Sequence, residues 1–203
     1  MTIETHPLPP FLPQNAKVLF LGSFPPPKTR WKMDFYYPNY NNDMWRIIGL
    51  IFFADKDYFI DIANKTYKQI LIEDFLHQQG IAISDTAYQV IRLKDNASDQ
   101  FLQVVQDMDI AALLAQMPNC HAVISTGEKA TATLLQRYGE SDAIMPKIGQ
   151  SVVLDIAGRT VQLYRLPSSS RAYPLALEKK AEYYQMDLQQ IFATNHLQID
   201  LNK

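Results

Sequence analysis

The fold is decided by a short apolar run near the amino end of the chain, Lys17-Val18-Leu19-Phe20-Leu21-Gly22. Apolar residues in succession, ended by a glycine, predict a strand that is buried on both faces. Two runs further along have the same character, Ile81-Ala82-Ile83-Ser84 and Ala122-Val123-Ile124-Ser125. These three runs are the predicted centre of the sheet.

Helical patterns alternate with these strands. Three helices are predicted by their apolar spacing, namely 44–53, 67–79 ended by Gly80, and 174–192 with Pro174 in its first turn. Three more are predicted from their capping residues. They run from Ser98 or Asp99 toward Asp107, from Asp109 to a point before Pro118, and from Thr126 to Tyr138. Residues 152–156 and 160–166 predict a hairpin. The alternation predicts an α/β fold, a three-layer α/β/α sandwich around a short, mostly parallel central sheet.

Length and composition limit the organisation of the chain. It has 203 residues, 47% of them hydrophobic, which is enough for one full core and excludes a disordered chain. Residues 1–16 are rich in proline and lack periodicity, so they predict a leader lying on the surface, followed by a single domain over 17–203. No stretch has the length of a membrane helix and the start lacks a signal peptide, so we expect a cytoplasmic protein, with a monomer favoured.

The charge of the chain is unevenly distributed. The net charge of −2 argues against nucleic-acid binding when it is taken as an average. Residues 28–46 carry four basic and two acidic side chains, and residues 159–180 carry five basic and one acidic. The remainder of the chain is therefore acidic, and the two basic segments permit contact with DNA.

Several kinds of site are excluded by the motifs that are missing. Neither nucleotide-binding glycine fingerprint occurs, so no nucleotide cofactor is expected. One cysteine, Cys120, excludes a disulfide framework or a four-cysteine metal site, and the four histidines are scattered, so no metal is expected. Each histidine is interpreted as a surface or packing residue. Cys120 is interpreted as a buried small side chain.

Ligands of open α/β sheets bind outside the carboxyl ends of the strands. In this chain the segments that follow the predicted strand ends are 22–42, 85–99, 125–129 and 167–173. Residues 31–45 hold six of the 23 aromatic side chains, including both tryptophans. Flat rings beside amides suit a pocket that encloses a planar base. A loop that fastens itself to the sheet through its aromatic residues is the alternative.

A second candidate segment joins a predicted strand to the last helix, Pro167-Ser168-Ser169-Ser170-Arg171. Consecutive hydroxyls and backbone N–H groups at a helix start could bind a phosphate. A serine-rich turn that only caps the helix explains the segment equally well.

Taken together, these segments resemble the uracil-DNA glycosylase superfamily, most closely its mismatch-specific and hypoxanthine-DNA glycosylase branches. The residues that carry the resemblance are Gly22-Ser23-Phe24-Pro25, Tyr36-Tyr37, Asn42-Asp43-Met44-Trp45, 81–85, Ser98 with Phe101 before Asp109, 125–130, and Leu166-Pro167-Ser168-Ser169-Ser170. They occur in order at compatible spacing and cover about residues 17–190.

The resemblance implies a DNA-repair enzyme, a monofunctional glycosylase without metal or cofactor that flips a deaminated base, uracil or hypoxanthine, out of DNA and hydrolyses its N-glycosidic bond. It implies a base pocket of Ser23, Phe24, Tyr37 and Asn42, in which Tyr37 stacks on the base. Asn42 would be catalytic, bonding to the base edge or holding the attacking water. Ser168, Ser169, Ser170 and Arg171 would bind DNA.

Three positions depart from the common pattern of the superfamily. Most members carry Asp or Asn before the motif proline, where this chain has Phe24, and a glycine often follows it, where this chain has Pro26. Leu166 replaces a His or Asn. These departures motivate an alternative, a catalytically silent protein that binds nucleic acid or a partner through the same cleft. A hydrolase of free nucleosides is a third hypothesis, and Asp43 and Asp85 are interpreted as ion-pair or capping residues.

Overall fold

The computed structural model describes residues 2–93, 99–140 and 144–197. Within them the strands are β1 (Ile3–Thr5), β2 (Val18–Gly22), β3 (Ile60–Asp61), β4 (Thr66–Tyr67), β5 (Ile81–Asp85), β6 (Ala87–Arg92), β7 (Leu102–Asp107), β8 (Ala122–Thr126), β9 (Gln150–Ile156) and β10 (Arg159–Leu166). The α-helices are α1 (Met44–Phe53), α2 (Gln69–Gln79), α3 (Ile110–Ala115), α4 (Glu128–Tyr138) and α5 (Leu177–Leu197).

The central sheet has the strand order β5-β2-β8-β10-β9. Four of its strands are parallel, and β9 is added antiparallel to β10 as an edge strand. The register pairs Gly22 with Asp85 and Leu166 with Thr126, so the carboxyl ends of all four parallel strands lie at the same edge. This is the mostly parallel sheet that the buried runs predict.

The sheet separates two hydrophobic cores. Side chains alternate along a strand, so Val18 and Phe20 face one core while Leu19 and Leu21 face the other. Helices α1, α2 and α5 cover the first face, and α3 and α4 cover the second. The fold is therefore the predicted three-layer sandwich. It also explains why β2, β5 and β8 are continuous apolar runs, since neither face meets water.

A second, three-stranded antiparallel sheet lies beside the edge strand β5 and has the order β1-β6-β7. Its inner residues Ala87, Val90 and Leu102 pack around Phe24, directly after β2. The amino-terminal segment takes part in this sheet through β1, and it continues along β5, where Phe11 forms a bridge with Ile83.

The expectation that residues 1–16 lie on the surface is wrong for part of that segment. His6 and Ala16 are buried, and residues 3–5 form β1. The pattern was misleading because these residues pair with strands far along the chain and carry no periodicity of their own. The division into a leader and one domain over 17–203 stays a prediction.

The helix predicted to run from Ser98 or Asp99 toward Asp107 is also wrong. Ser98 lies outside the described residues, Asp99–Phe101 form a single 3-10 turn, and Leu102–Asp107 form β7. Antiparallel pairing with β6 places Leu102 and Val104 against Phe24, and that long-range packing outweighs the local capping pattern.

The remaining helices agree with the sequence patterns apart from their ends. Helix α1 has the predicted bounds, and the carboxylate of Asp109 accepts the backbone N–H of Ala112, as expected of the cap of α3. Helix α2 begins at Gln69 because Thr66–Tyr67 form β4. Helix α5 begins at Leu177, so Pro174 precedes the helix and is not in its first turn.

One buried carboxylate makes the stability of this fold depend on pH. Asp187 of α5 is 6% exposed and its Oδ2 has no hydrogen-bond partner among the described residues. Burial raises the pKa of Asp187 to about 6, from 3.8. The folded state therefore binds this proton more tightly than the unfolded state does, and the charged form destabilises the fold above that pKa.

Replacing Asp187 with asparagine is expected to raise the free energy of unfolding by about 2 kcal/mol at pH 8. The difference in the free energy of unfolding between the variant and the unchanged protein should shrink as the pH falls through 6. It should vanish near pH 4, where Asp187 is protonated in the folded state. Thermal unfolding of both proteins across this range measures the difference. A gain that is the same at pH 8 and pH 4 would show that the charge of Asp187 is not its cause.

Candidate active site

A cleft of about 820 Å³ opens at the carboxyl ends of the parallel strands. The segments that line it follow β2, β5, β8 and β10, as the position of the strand ends predicts. All the residues proposed from the sequence line this cleft, namely Ser23, Phe24, Tyr37, Asn42, Ser168, Ser169, Ser170 and Arg171. The structure thus brings together two segments, residues 23–43, here called the aromatic loop, and residues 167–171, here called the serine loop. The role of each residue stays a prediction.

Asn42 is held with one end of its amide occupied. Its Oδ1 accepts the backbone N–H of Met44 at 2.8 Å, at the start of α1, and its own backbone N–H donates to Asn39 O at 2.7 Å. A backbone bridge joins Asn42 to Ser170 in the serine loop. The bond from Met44 identifies the carbonyl end of the Asn42 amide. The other end of the amide is therefore the Nδ2 group. It makes no hydrogen bond to another described residue, so it can donate to a ligand.

Tyr37 has an unusual backbone conformation for an aromatic residue. Its φ is 53°, in the left-handed region that bulky side chains rarely occupy. The phenol lies 3.1 Å from Thr126 Oγ1, and the ring packs edge-on against Trp45, with 6.2 Å between centroids. The surrounding contacts therefore fix a strained residue at the cleft, a pattern that often accompanies a functional role.

Thr126 lies in this contact because it is not the helix cap that the sequence predicts. The residue that precedes α4 is Gly127, with φ of 111°. The Thr126 hydroxyl instead donates to Leu21 O at 3.3 Å and contacts Tyr37. The side chain at the end of β8 thus links the central sheet to the aromatic loop.

Phe24 forms a wall of the cleft and is 8% exposed. Its ring packs edge-on against His6 at 5.3 Å, and the Arg92 guanidinium lies 5.9 Å from it. Arg92 also donates to Pro25 O at 3.1 Å. The backbone N–H of Ala87 donates to Ser23 O at 3.1 Å. The motif after β2 is therefore fastened to the small sheet, and Phe24 contributes no polar side-chain group to the cleft.

The serine loop is stabilised by its own side chains. Ser168 Oγ accepts the N–H of Ser170 at 3.2 Å, and Ser170 Oγ accepts the N–H of Ala172 at 3.3 Å. Ser169 is buried, and its carbonyl accepts the N–H of Asp43 at 2.8 Å. Helix α5 begins only at Leu177, so its amino terminus does not directly adjoin these serines, contrary to the expectation.

A buried ionic cluster connects the serine loop to the start of α1. Asp43 receives Lys180 Nζ at 3.1 Å and Arg171 Nε at 3.0 Å. Lys180 also donates to Ser170 O at 2.8 Å, and its side chain is 1% exposed. The ion-pair interpretation of Asp43 is therefore correct, and the side chain of Arg171 remains 46% exposed at the cleft.

The basic segment 159–180 contributes less charge to the cleft than its composition implies. Arg159 donates to the carbonyls of Leu114, Met117, Pro118 and Cys120, at the opposite end of β10. Arg165 donates to Pro146 O at 2.8 Å, and Lys180 is buried. Of the five basic residues in this segment, Arg171 is the one that lines the cleft. Arg30 lines it from the aromatic loop.

Sequence reasoning missed the partner of Asp85 at the floor of the cleft, which is His6. His6 Nε2 lies 2.9 Å from Asp85 Oδ2, and the two side chains are 1% and 8% exposed. Asp85 lines the cleft at the end of β5, where the ion-pair interpretation is again correct. His6 carried no sequence pattern that pointed to this place, since a single histidine in a proline-rich segment has no partner at a recognisable spacing.

The described residues offer little for other kinds of site. No three His, Cys, Asp or Glu side chains in ranges 2–93, 99–140 and 144–197 could together hold a metal ion. Burial raises the pKa of the Cys120 thiol to about 12, so this cysteine is a poor nucleophile. Within the part of the chain that the structure describes, no helix is both long and apolar enough to span a bilayer.

The architecture matches a known class of proteins. No protein-family model and no curated protein matches the sequence. A solution NMR structure of a "putative Uracil DNA glycosylase" from Methanosarcina acetivorans is similar, with a TM-score of 0.63 and 20% identity over 94% of this chain and 99% of that one. The chain therefore has a uracil-DNA-glycosylase-like fold, which confirms the fold that the sequence resemblance implies.

Proposed function

We propose that this protein is a monofunctional DNA glycosylase that removes a deaminated base, uracil or hypoxanthine, from DNA. The observation that carries the proposal is the convergence of Tyr37, Asn42 and the serine loop on one cleft at the strand ends. The volume of the cleft is within the range of small-molecule pockets. The similarity of fold to a protein described as a glycosylase is in agreement with it.

In the proposed reaction the damaged base leaves the duplex and enters the cleft, where it stacks on Tyr37. Unstacking costs a few kcal/mol and is easiest for a mispaired base, which favours deaminated bases. Water then attacks C1′ of the sugar while the bond from C1′ to the base nitrogen breaks. The water hydrogen goes to solvent, the sugar keeps the hydroxyl, and the base leaves with the electron pair and is protonated.

Asn42 has the chemistry to stabilise that leaving base. Its free Nδ2 can donate to the acceptor next to the glycosidic nitrogen, which is O2 in uracil and N3 in hypoxanthine. Negative charge develops on this atom as the bond breaks, and a fixed neutral donor stabilises it without reorganising. The backbone bridge from Asn42 to Ser170 keeps this donor beside the proposed DNA-binding loop.

The direct test is to incubate the purified protein with duplexes that contain uracil, hypoxanthine or xanthine, and to cleave the products with alkali. Nicking at the damaged base, without cleavage before alkali, is the expected result for a monofunctional enzyme. The absence of nicking in all three duplexes would overturn the proposal. Free nucleosides in a parallel incubation test the hydrolase alternative, which requires turnover without DNA.

A catalytically silent protein with the same cleft is the second candidate. Phe24 favours it, because this side chain supplies no polar group where most of the superfamily has an acid or amide, and it is enclosed by His6 and Arg92. This candidate predicts DNA binding that weakens with salt and no abasic product.

Arg171 is expected to contribute to the binding of DNA through its partly exposed side chain. Replacing it with glutamine should weaken binding to a duplex with a tetrahydrofuran abasic site roughly 10-fold. It should also reduce the slope of log K against log salt by about one. Fluorescence anisotropy at several salt concentrations measures both quantities.

The matched control for Arg171 is Arg137→Gln, because Arg137 is half exposed on α4 and pairs with Asp107, away from the residues that line the cleft. An equal effect of the two substitutions would mean that general charge, and not a contact of Arg171, sets the affinity.

A further inference from the structure

The two oxygens of the Asp85 carboxylate have different surroundings at the cleft. Oδ2 receives His6 Nε2 at 2.9 Å. Oδ1 lies against Gly22, at a point where the first carbon of any larger side chain would clash with it. The absence of a side chain at Gly22 therefore lets the carboxylate reach the cleft floor.

The strand order fixes where Asp85 lies relative to the serine loop. Four neighbouring strands end at the same level of the sheet, at Asp85, Gly22, Thr126 and Leu166. Asp85 and Leu166 are therefore separated by three strand spacings, which is about 14 Å. If the phosphate of a nucleotide binds at the serine loop, which follows Leu166, its base would reach Asp85 by extending along this row.

We propose that Asp85 is a specificity-determining residue that accepts the ring N–H of the flipped base, and that His6 is the positioning residue that holds it there. The inference rests on the proposed function, since it concerns the base that enters the same cleft. It also makes the amino-terminal segment part of the binding site, although that segment precedes the first motif of the sequence.

The chemistry of an ionised carboxylate defines the class of base. A carboxylate accepts hydrogen bonds and cannot donate them. Uracil presents N3–H and hypoxanthine N1–H at the edge distant from the sugar, and Asp85 can accept either. Cytosine N3 and adenine N1 carry lone pairs at the equivalent positions and would be repelled. Deamination creates the N–H group, so Asp85 distinguishes the damaged base from its parent.

His6 also limits an unfavourable effect of this carboxylate. A lone negative charge beside the base would oppose the negative charge that develops on it during bond cleavage. Burial lowers the pKa of His6, but the hydrogen bond and charge of Asp85 outweigh this, so the pKa is raised above 6.5. Nδ1 lies 2.8 Å from Leu8 O and 3.2 Å from the backbone nitrogen of Leu8, so Leu8 holds this side of the ring in place. When His6 is protonated, the pair is neutral as a whole.

Among the described residues, the rings that pack against His6 are those of Tyr36 and Phe24. The Tyr36 ring stacks on His6 with 5.9 Å between centroids, and burial raises the pKa of its phenol far above 10. Phe24 covers the imidazole edge-on. His6 thus has aromatic neighbours on these sides and one acidic partner, Asp85.

The experiment measures binding without cleavage, using duplexes that carry 2′-fluoro-2′-deoxyuridine or 2′-fluoro-2′-deoxycytidine, whose glycosidic bonds resist hydrolysis. The unchanged protein is expected to bind the uracil duplex at least 10-fold more tightly than the cytosine duplex. Asp85→Asn offers an amide that can donate as well as accept, so the two affinities should come within about twofold. Affinity for a tetrahydrofuran duplex, which has no base, should stay the same. Asp74→Asn on the exposed side of α2 is the matched control and should keep the discrimination.

His6 is tested by two substitutions that differ in hydrogen bonding. His6→Gln retains a side-chain N–H that can reach Asp85 and should keep most of the preference for uracil, while His6→Leu should lose it. Thermal unfolding of both variants shows whether they are folded at the assay temperature. Discrimination that survives in folded His6→Leu would overturn the positioning role.

The outcomes separate this inference from the proposed function. If Asp85→Asn leaves the uracil preference intact, or the unchanged protein has none, the inference is wrong whatever the protein cleaves. If the preference depends on Asp85 but ordinary uracil duplexes are not nicked, the inference stands and the glycosylase proposal fails. If Asp85→Asn slows excision while both affinities stay the same, Asp85 acts on the water and not on the base, which also overturns the inference.

Discussion

Replacing Asn42 with alanine is expected to lower the single-turnover rate of base excision roughly 100- to 1,000-fold. The loss follows from removing the free Nδ2 donor, the group that would stabilise the charge on the leaving base. The same substitution removes the bond from Oδ1 to the Met44 N–H at 2.8 Å, which should lower stability by about 1 kcal/mol. Single-turnover kinetics on a uracil duplex, together with thermal unfolding, measure the two effects.

The substitution Asn42→Asp separates catalysis from the hydrogen bond between Asn42 and the N–H of Met44. Aspartate has nearly the same shape and can still accept the N–H of Met44, but it replaces the donor with a second acceptor. We therefore expect a stability close to that of the unchanged protein and a rate at least as low as that of Asn42→Ala. An Asn42→Asp enzyme that keeps a tenth or more of the rate would show that the amide acts through Oδ1, as a ligand of the attacking water.

Replacing Lys180 with methionine is expected to lower the free energy of unfolding by about 3 kcal/mol. Lys180 is 1% exposed and neutralises Asp43, which is itself buried, so its loss leaves a buried carboxylate with the partly exposed Arg171 as its ionic partner. The substitution also breaks the bond to Ser170 O, so the serine loop should become more mobile. Chemical denaturation and backbone amide exchange of residues 168–173 measure these two effects.

The double variant Asp43→Asn with Lys180→Met provides the control. It removes both charges, so no unpaired buried ion remains, and we expect it to be more stable than Lys180→Met alone. If the two variants are equally destabilised, the loss comes from packing of the lysine chain and not from the ion pair. Salt has little access to this cluster, so the effect should persist at high ionic strength.

The central sheet could be predicted from sequence because its signals are local. The runs at 17–22, 81–84 and 122–125 are mostly apolar without alternation, a pattern typical of parallel strands that helices cover on both sides. The strands that they form are buried along their whole length. Once those strands were assigned, the rule that ligands bind at their carboxyl ends brought the aromatic loop and the serine loop together. The cleft could therefore be predicted without any knowledge of side-chain contacts.

The features that could not be predicted depend on partners distant in sequence. Strand β7 exists because it pairs with β6 and covers Phe24, while its local pattern resembles a helix cap. Lys180 and Arg159 count as basic residues in a composition, yet one neutralises a buried acid and the other binds carbonyls at the far end of β10. Charge counted along a segment does not specify which charges reach solvent.

The pairing of the amino-terminal strand β1 with β6 has a consequence for the order of folding. His6 and Asp85 are 79 residues apart, so this contact closes a long loop, and loop closure is entropically unfavourable until the rest of the sheet has formed. During synthesis residues 3–6 leave the ribosome well before their partners in residues 85–92 exist. The main sandwich can therefore assemble before the Asp85 end of the cleft, and anything that binds the cleft through Asp85 favours the docked state of β1 and His6 by mass action.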